Sequence, residues 1–176
     1  MLRIERLTKV YDGDVLALDD VSFEVPTGQF LVVIGLSGAG KSTLLRCINR
    51  LVEPTSGRVL WDGVDITAAS QAELRRIRRR IGMIFQQFNL VNRVSVLTNV
   101  LTGRLGYVSP ALSLINRFPG EERERAMDRL ERVGLADKAH QRADELSGGQ
   151  QQRVGVARAL MQDPDMMLAD EPVASL

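Results

Sequence analysis

The feature that most constrains this chain is a glycine-rich loop, residues 35–43, set between an apolar run and a helix-forming run. The apolar run, 30–34, predicts a buried strand, and residues 44–48 predict a helix. Glycines at 35, 38 and 40 allow backbone angles that other residues avoid, so that successive N–H groups can point at one anion. We therefore predict a strand, a phosphate-binding turn and a helix N-terminus. The loop consists of Gly35, Leu36, Ser37, Gly38, Ala39, Gly40, Lys41, Ser42 and Thr43.

The groups of this loop predict a nucleoside triphosphate as ligand. The positive end of the following helix, the Lys41 ammonium and the Ser42 hydroxyl would complete a site for the β- and γ-phosphates with Mg²⁺. A glycine-rich turn with a solvated lysine is the alternative, but the strand before and the helix after the loop favour the phosphate site. Kinases, GTPases and transport ATPases share this loop, so it does not select among them.

Composition excludes several other classes of protein. With 44% hydrophobic and 26% charged residues and a net charge of +1, the chain is typical of a globular protein and lacks the strongly basic character of a nucleic-acid-binding domain. No apolar run reaches the ~18 residues that a membrane-spanning helix needs, and the first residues do not resemble a signal peptide. We therefore expect a cytosolic location. Cys47, the single cysteine, predicts a buried apolar side chain rather than a disulfide or metal site.

The rest of the chain alternates strand and helix patterns. A charged amphipathic pattern covers 121–133, and a helix beginning after Ser147 is predicted to run to about 161. Asp62-Gly63 predicts a hairpin turn. The predicted strands are 2–10, 21–25, 58–61, 81–85 and 166–169, with a further helix over the arginine-rich residues 71–80.

Two carboxylates follow the last of these strands. Asp170 can hold Mg²⁺, usually through water, while Glu171 can orient and polarise an attacking water molecule. This pair favours hydrolysis over phosphoryl transfer. A pair of acids that ends a strand and faces solvent is the alternative interpretation.

A second glycine-rich helix start lies at residues 147–150. Its hydroxyl and its glycines predict a second anion site, although a Ser-Gly-Gly turn can equally be an ordinary helix cap. One domain has little use for two triphosphate sites. We therefore predict a head-to-tail dimer in which this segment closes over the triphosphate bound by the partner's glycine loop. The segment comprises Ser147, Gly148, Gly149 and Gln150.

A tyrosine precedes the first glycine-rich turn of the chain. The ring of Tyr11 could stack on a purine base, since offset stacking of aromatic planes is favourable. A tyrosine beside a surface turn is often only a surface residue.

These motifs together resemble the ATP-binding subunit of an ABC transporter. The resemblance rests on residues 35–43, Gln86, the signature segment Leu146-Ser147-Gly148-Gly149-Gln150 and residues 166–171, in matching order and spacing. It implies an α/β P-loop NTPase fold with a RecA-like parallel core, an N-terminal antiparallel β subdomain and a helical subdomain. We expect one domain, divided into residues 1–85, 86–146 and 147–176.

The resemblance also implies roles for single residues. Tyr11 would stack on adenine, and Lys41 and Ser42 would contact phosphate and Mg²⁺. Asp170 would bind Mg²⁺, and Glu171 would be the catalytic base. The remaining loop residues, Gly35, Ser37, Gly38, Ala39, Gly40 and Thr43, would contact ATP, as would residues 147–150 from the opposite subunit. Gln86 would contact the metal, sense the γ-phosphate and report to a membrane partner.

Within the family, residues 99–107, the insert up to Pro119 and residues 141–146 are similar to subunits that power phosphonate import. Import of polar amino acids or of another solute stays open, as does a soluble ATPase without a transport function. The implied partners are a second copy, membrane permease subunits and, indirectly, an extracytoplasmic solute-binding protein, at the cytoplasmic face of the inner membrane. No nucleic acid is expected.

The family pattern continues beyond Leu176 into an aspartate loop, a further core strand and a switch histidine. His140 lies upstream of the signature segment and is expected to be exposed, so it does not replace that histidine. Because the further strand would pair inside the sheet, we expect the isolated 176-residue chain to be unstable, and to hydrolyse ATP poorly. An inactive fragment is therefore one further interpretation.

Overall fold

The computed structural model describes residues 1–108 and 118–170. The chain divides into two units, Met1–Ile77 and Arg78–Leu176. The predicted insert before Pro119 lies partly outside the described ranges. The predicted catalytic base, Glu171, lies outside them. Across the described residues, no helix combines the length and the apolar character that a membrane span requires.

The first unit is built on a four-stranded antiparallel sheet. Strands β1 (Leu2–Tyr11), β2 (Val15–Val25), β3 (Ser56–Trp61) and β4 (Val64–Asp65) lie in the order β2-β1-β3-β4. Asp62 and Gly63 both have left-handed φ, at 49° and 81°, and they join β3 to β4, which confirms the predicted hairpin. Ile4, Leu7 and Val59 are buried completely or nearly so.

Two helices belong to this part of the chain, one between β2 and β3 and one after β4. Helix α1 (Lys41–Ile48) lies beside β2 and buries Leu44, Cys47 and Ile48. Helix α2 (Gln71–Arg79) matches the predicted arginine-rich helix and buries Leu74 and Ile77. Both helices place apolar residues three or four positions apart on the buried side, as an amphipathic helix requires.

The predicted strand at residues 30–34 is wrong. The structure assigns this run to no strand, and its side chains lie open to solvent, with Phe30 93% and Ile34 88% exposed. Within the described residues no strand pairs with the run. An apolar run becomes a buried strand only where a neighbouring strand accepts and donates its backbone hydrogen bonds, so the sequence pattern alone was not sufficient.

The second unit combines a parallel strand pair with a helical core. Strand β5 (Ile81–Ile84) pairs in parallel with β6 (Met166–Ala169), from Ile81 opposite Met166 to Ile84 opposite Ala169. Helices α3 (Val96–Leu101), α4 (Gly120–Arg132) and α5 (Gly148–Leu160) pack on one another. Their shared core includes Val96, Val100, Ala126, Leu130, Leu135, Val154 and Ala157.

Candidate functional site

The glycine loop of the first unit leads directly into α1. Gly38 and Gly40 take left-handed φ angles of 80° and 85°, and Gly40 is the N-cap of the helix, without a side-chain capping bond. A Cβ atom at Gly40 would lie 2.2 Å from the Ala17 carbonyl oxygen. Glycine is therefore required at position 40 by backbone conformation and by space. Gly35 does not adopt a left-handed angle, so that part of the prediction is wrong.

Lys41 reaches back over the loop that precedes it. Its Nζ donates hydrogen bonds to the carbonyl oxygens of Gly35 and Leu36, each at 2.8 Å. An ammonium group has three N–H donors, and these two bonds fix its charge beside the loop. The arrangement places a cation, a helix N-terminus and two left-handed glycines within one short segment, and each of these features favours an anion nearby.

Tyr11 is close to this segment. Its hydroxyl oxygen lies 3.3 Å from the Thr43 hydroxyl oxygen on α1. Tyr11 as a whole is 39% exposed. Lys9, two positions earlier on β1, holds its Nζ 5.0 Å from the ring centroid. The structure thus brings Tyr11 to the glycine loop. The sequence interpretation missed Lys9, which the two-residue spacing on a strand could have placed on the same face.

Cys47 has no accessible chemistry in the folded chain. The side chain is fully buried on α1, and burial raises the pKa of its thiol to about 11. A buried neutral thiol behaves as a small apolar group, as predicted.

The signature segment of the second unit starts α5. Ser147 is the N-cap, and its hydroxyl accepts a hydrogen bond from the Gln150 N–H at 3.4 Å. The Gln150 side-chain oxygen accepts the Ser147 N–H at 2.9 Å. This reciprocal capping box confirms the helix-cap interpretation. The second anion site stays a prediction; a Cβ atom at Gly148 would meet no atom within 4 Å, so the backbone there is open.

Asp170 and Gln86 follow the carboxyl ends of the two parallel strands. Asp170 is 2% exposed, and its N–H donates to the Ile84 carbonyl oxygen at 3.0 Å, which extends the pairing past β6. Gln86 lies two residues after β5 and is exposed. The structure thus brings these two residues to the same end of one strand pair. His140 is exposed, as predicted.

A third residue near this end was missed from the sequence. Arg158 of α5 donates to the carbonyl oxygens of Phe88 and Asn89, both at 2.6 Å. The only available sequence signal was a charged side chain between the apolar residues Ala157 and Ala159 of a largely buried helix. Such a position predicts a specific polar partner, but it does not say which one.

Comparison with known proteins gives the family. A family model described as "ABC transporter" matches residues 18–174. The phosphonates import ATP-binding protein PhnC of Nitratidesulfovibrio vulgaris is 57% identical over 99% of this chain and 66% of its own length. The protein of the same name from Chromohalobacter salexigens is 59% identical over 100% of this chain and 65% of its own length. The chain thus spans slightly less than two thirds of these relatives.

Solved structures agree with this result. A dimeric ATP-binding cassette in a post-hydrolysis state, bound to ADP and Pi, matches with a TM-score of 0.88 and 38% identity, over 100% of this chain and 76% of that one. A nucleotide-free ATP-binding cassette from an ABC transporter matches with a TM-score of 0.84 and 36% identity, over 100% and 70%. The predicted α/β P-loop fold is confirmed by these matches. The chain therefore belongs to the ABC transporter family.

Proposed function

We propose that the protein is the ATP-hydrolysing subunit of an ABC importer that powers uptake of phosphonate or a related oxyanion through membrane permease subunits. The glycine loop carries this proposal, because Lys41 and the left-handed Gly38 and Gly40 form a donor set suited to a polyphosphate. More than half of the aligned residues of this chain are identical in relatives named as phosphonates import ATP-binding proteins. This similarity supports the proposed class of solute.

Each described part of the glycine loop has a role in binding ATP. Backbone N–H groups of residues 35–43 would surround the phosphates, and Lys41 would exchange a loop carbonyl for a phosphate oxygen. Tyr11 would stack on adenine. Its hydroxyl oxygen lies 3.3 Å from the Thr43 hydroxyl oxygen, which places the ring beside the loop. The Lys41 ammonium would thereby be a catalytic group, since it touches the phosphates on which charge develops.

Magnesium fits the available oxygen donors. Within residues 1–108 and 118–170 there is no group of three or more His, Cys, Asp or Glu side chains that could hold a metal ion. Mg²⁺ at nucleotide sites is bound by one or two carboxylates and completes its shell with other oxygens, those of phosphate and water among them, so a large carboxylate cluster is not needed. Asp170 would supply a carboxylate oxygen, and Ser42 and Gln86 would supply uncharged side-chain oxygens. When bound, Mg²⁺ neutralises charge on the phosphates.

The signature segment would act on a second copy of the chain. Ser147, Gly148, Gly149 and Gln150 form the open start of α5, whose N–H groups would contact the triphosphate held by the partner's glycine loop. Glu171 would orient the attacking water. A similar cassette is described as dimeric, which supports a homodimer.

The remaining partners follow from the proposed import. Permease subunits would dock the protein at the cytoplasmic face of the inner membrane as a peripheral subunit, and an extracytoplasmic solute-binding protein would deliver the solute. Gln86 would report the presence of the γ-phosphate to the permease. The sequence-based division into residues 1–85, 86–146 and 147–176 is part of the same proposal.

Nucleotide binding tests the first step. In the full-length gene product, Lys41→Ala should weaken binding of a fluorescent ATP analogue by roughly 10- to 100-fold, the equivalent of one or two charge-assisted hydrogen bonds. Binding of inorganic tripolyphosphate should be weakened equally, because the Lys41 ammonium would contact the phosphates and not the base. Lys138→Ala, in the short turn Ala136–Lys138 of the other unit, is the matched control and should bind normally. Unchanged binding by Lys41→Ala would refute the proposed phosphate site.

Solute and enzyme class need separate measurements. Vesicles that carry the full-length protein and its permease should take up a phosphonate faster than a polar amino acid, and should do so only with ATP. Glu171→Gln should trap an ATP-bound dimer and abolish turnover. Salt-sensitive binding of nucleic acid, with no solute-dependent uptake, would instead indicate a soluble ATPase.

A further inference from the structure

The backbone just after Gln86 is strained. The Phe88 N–H donates to the Phe85 carbonyl oxygen at 3.0 Å, which closes a turn around Gln86 and Gln87. Phe88 and its neighbour Asn89 then both take left-handed angles, φ 52° and 48°. An L-residue pays a steric cost for this conformation, and a bulky aromatic residue seldom adopts it. Contacts from elsewhere in the fold must therefore hold this turn in place.

One side chain contacts both strained residues. Arg158 donates through Nη1 to the Asn89 carbonyl oxygen and through Nη2 to the Phe88 carbonyl oxygen, 2.6 Å each. The two N–H groups of a guanidinium lie in one rigid plane, so this pair of bonds fixes the two carbonyls relative to each other. Burial lowers the pKa of the Arg158 guanidinium, which is nevertheless protonated at neutral pH. The contact spans about 70 positions of sequence.

Helix α5 also packs closely against this turn. Gly155 lies three positions before Arg158 and therefore on the same side of the helix. A Cβ atom at Gly155 would stand 3.9 Å from the Phe88 Cβ and 4.0 Å from its Cα. The turn thus rests on the helix surface at Gly155 and is bound by Arg158 one helical turn further on.

We propose that Arg158 is a positioning residue that ties the turn containing Gln86 to helix α5, and hence to the signature segment at the start of that helix. The proposal rests on the proposed function, in which Gln86 and the signature segment act on ATP. Because α5 is continuous from Gly148 to Leu160, its N-terminus and the Gln86 turn then move as one body. The Asn99 side chain of α3 forms hydrogen bonds with the backbone of Val91, further along the chain. On the Gln86 side, the loop is held by the two hydrogen bonds of Arg158, which we call the clamp.

The first experiment measures the clamp without nucleotide. Amide hydrogen exchange in the full-length protein should become at least tenfold faster at residues 86–90 in Arg158→Gln, and should not change at residues 35–43. The matched control is Arg153→Gln on the same helix, whose side chain also bonds to a backbone carbonyl, that of Val133 at 3.0 Å. The control should leave residues 86–90 as in the wild type. Unchanged exchange in Arg158→Gln would overturn the proposal.

The second experiment measures turnover. Arg158→Gln should lower the kcat of ATP hydrolysis by about 10- to 100-fold, as a small misplacement can, and leave KM for ATP within about twofold, since Arg158 bonds to the carbonyls of Phe88 and Asn89 and is assigned no role in binding ATP. Arg158→Lys keeps the charge but loses the planar arrangement of N–H groups that contacts both carbonyls, and it should recover part of kcat. Wild-type turnover together with a loosened turn would overturn the positioning role.

Two further outcomes are distinguishable. If Arg158→Gln does not fold, Arg158→Lys decides the question, because wild-type exchange and kcat in that variant would show that the two-point contact is not needed. If the wild-type protein neither binds nor hydrolyses ATP, the proposed function fails, while faster exchange in Arg158→Gln would still support the clamp.

Discussion

The two glycine-rich helix starts use similar residues but are held by different means. At α5 the Ser147 and Gln150 side chains cap the backbone reciprocally, and the helix buries Val154 and Ala157 completely. At α1 the N-cap is Gly40, no side chain caps the helix, and the Lys41 ammonium binds the loop carbonyls instead. The run before α1 is exposed, although it is as apolar as a core strand.

The comparison distinguishes a helix start whose backbone N–H groups are capped by nearby side chains from one that has no side-chain cap. A capping box satisfies backbone donors within four residues, so α5 has a defined N-terminus from its own sequence. The loop before α1 has backbone N–H groups and a cation that suit a bound anion, which would supply the acceptors. We therefore expect stability to depend on the α5 region and ligand affinity on the α1 region.

The largest expected contrast concerns two leucines. Leu130→Ala removes a fully buried side chain from the core around α5 and should lower the free energy of unfolding by about 2–5 kcal/mol. Leu36→Ala removes a side chain that is 85% exposed in the glycine loop, and it should change the free energy of unfolding by less than about 0.5 kcal/mol. Urea denaturation of the full-length protein measures both. Equal losses would mean that the loop is buried in solution.

A pH effect of the thiol, between about pH 9 and 11, should come from the first unit, because that unit contains the only cysteine of the sequence. Burial raises the pKa of the Cys47 thiol from 9.0 to about 11, so the unfolded chain ionises first. The thiol contribution is complete below pH 9 and is lost as the pH rises through 11, a decrease of about 3 kcal/mol in the free energy of unfolding. Denaturation at several pH values checks this. Cys47→Ala should lack this part of the pH dependence; the same dependence in that variant would contradict the assignment.

Two glycines, the N-cap of α1 and the first residue of α5, should tolerate alanine differently. Gly40→Ala imposes a left-handed angle on alanine and brings its Cβ to 2.2 Å from the Ala17 carbonyl oxygen, so it should cost at least about 2 kcal/mol. Gly148→Ala meets no atom within 4 Å and should be neutral or stabilising by up to about 1 kcal/mol, because alanine favours a helix. Thermal unfolding compares them. The reverse order would refute the difference between the two helix starts.

The smallest expected effect tests the cap itself. Ser147→Ala should cost about 1 kcal/mol, since it leaves the Gln150 N–H without its acceptor. Ser37→Ala, at an exposed loop position, should have an effect within about 0.5 kcal/mol. Urea denaturation compares the two variants, and hydrogen exchange in the first turn of α5 should be faster in Ser147→Ala only. If Ser37→Ala proves as costly as Ser147→Ala, the glycine loop has a side-chain cap after all.

The amino-acid sequence determined the features that depend on neighbours in the chain. The Asp62-Gly63 hairpin and helix α2 were predicted, and a helix cap at Ser147 was one of two interpretations, because turn chemistry, caps and helical periodicity act over two to ten residues. The family resemblance came from the same local motifs, and the comparisons confirm it. The roles of the single site residues in binding and hydrolysis remain predictions.

Only the tertiary structure decided which segments found distant partners. The run 30–34 has the composition of a core strand, yet it lies exposed because strand formation needs a neighbour to complete its hydrogen bonds. The Arg158 contact with Phe88 and Asn89 joins segments about 70 residues apart, and no periodicity or local motif encodes such a pair. Long-range pairing depends on how the whole chain packs, so it could not be read from short stretches of this sequence.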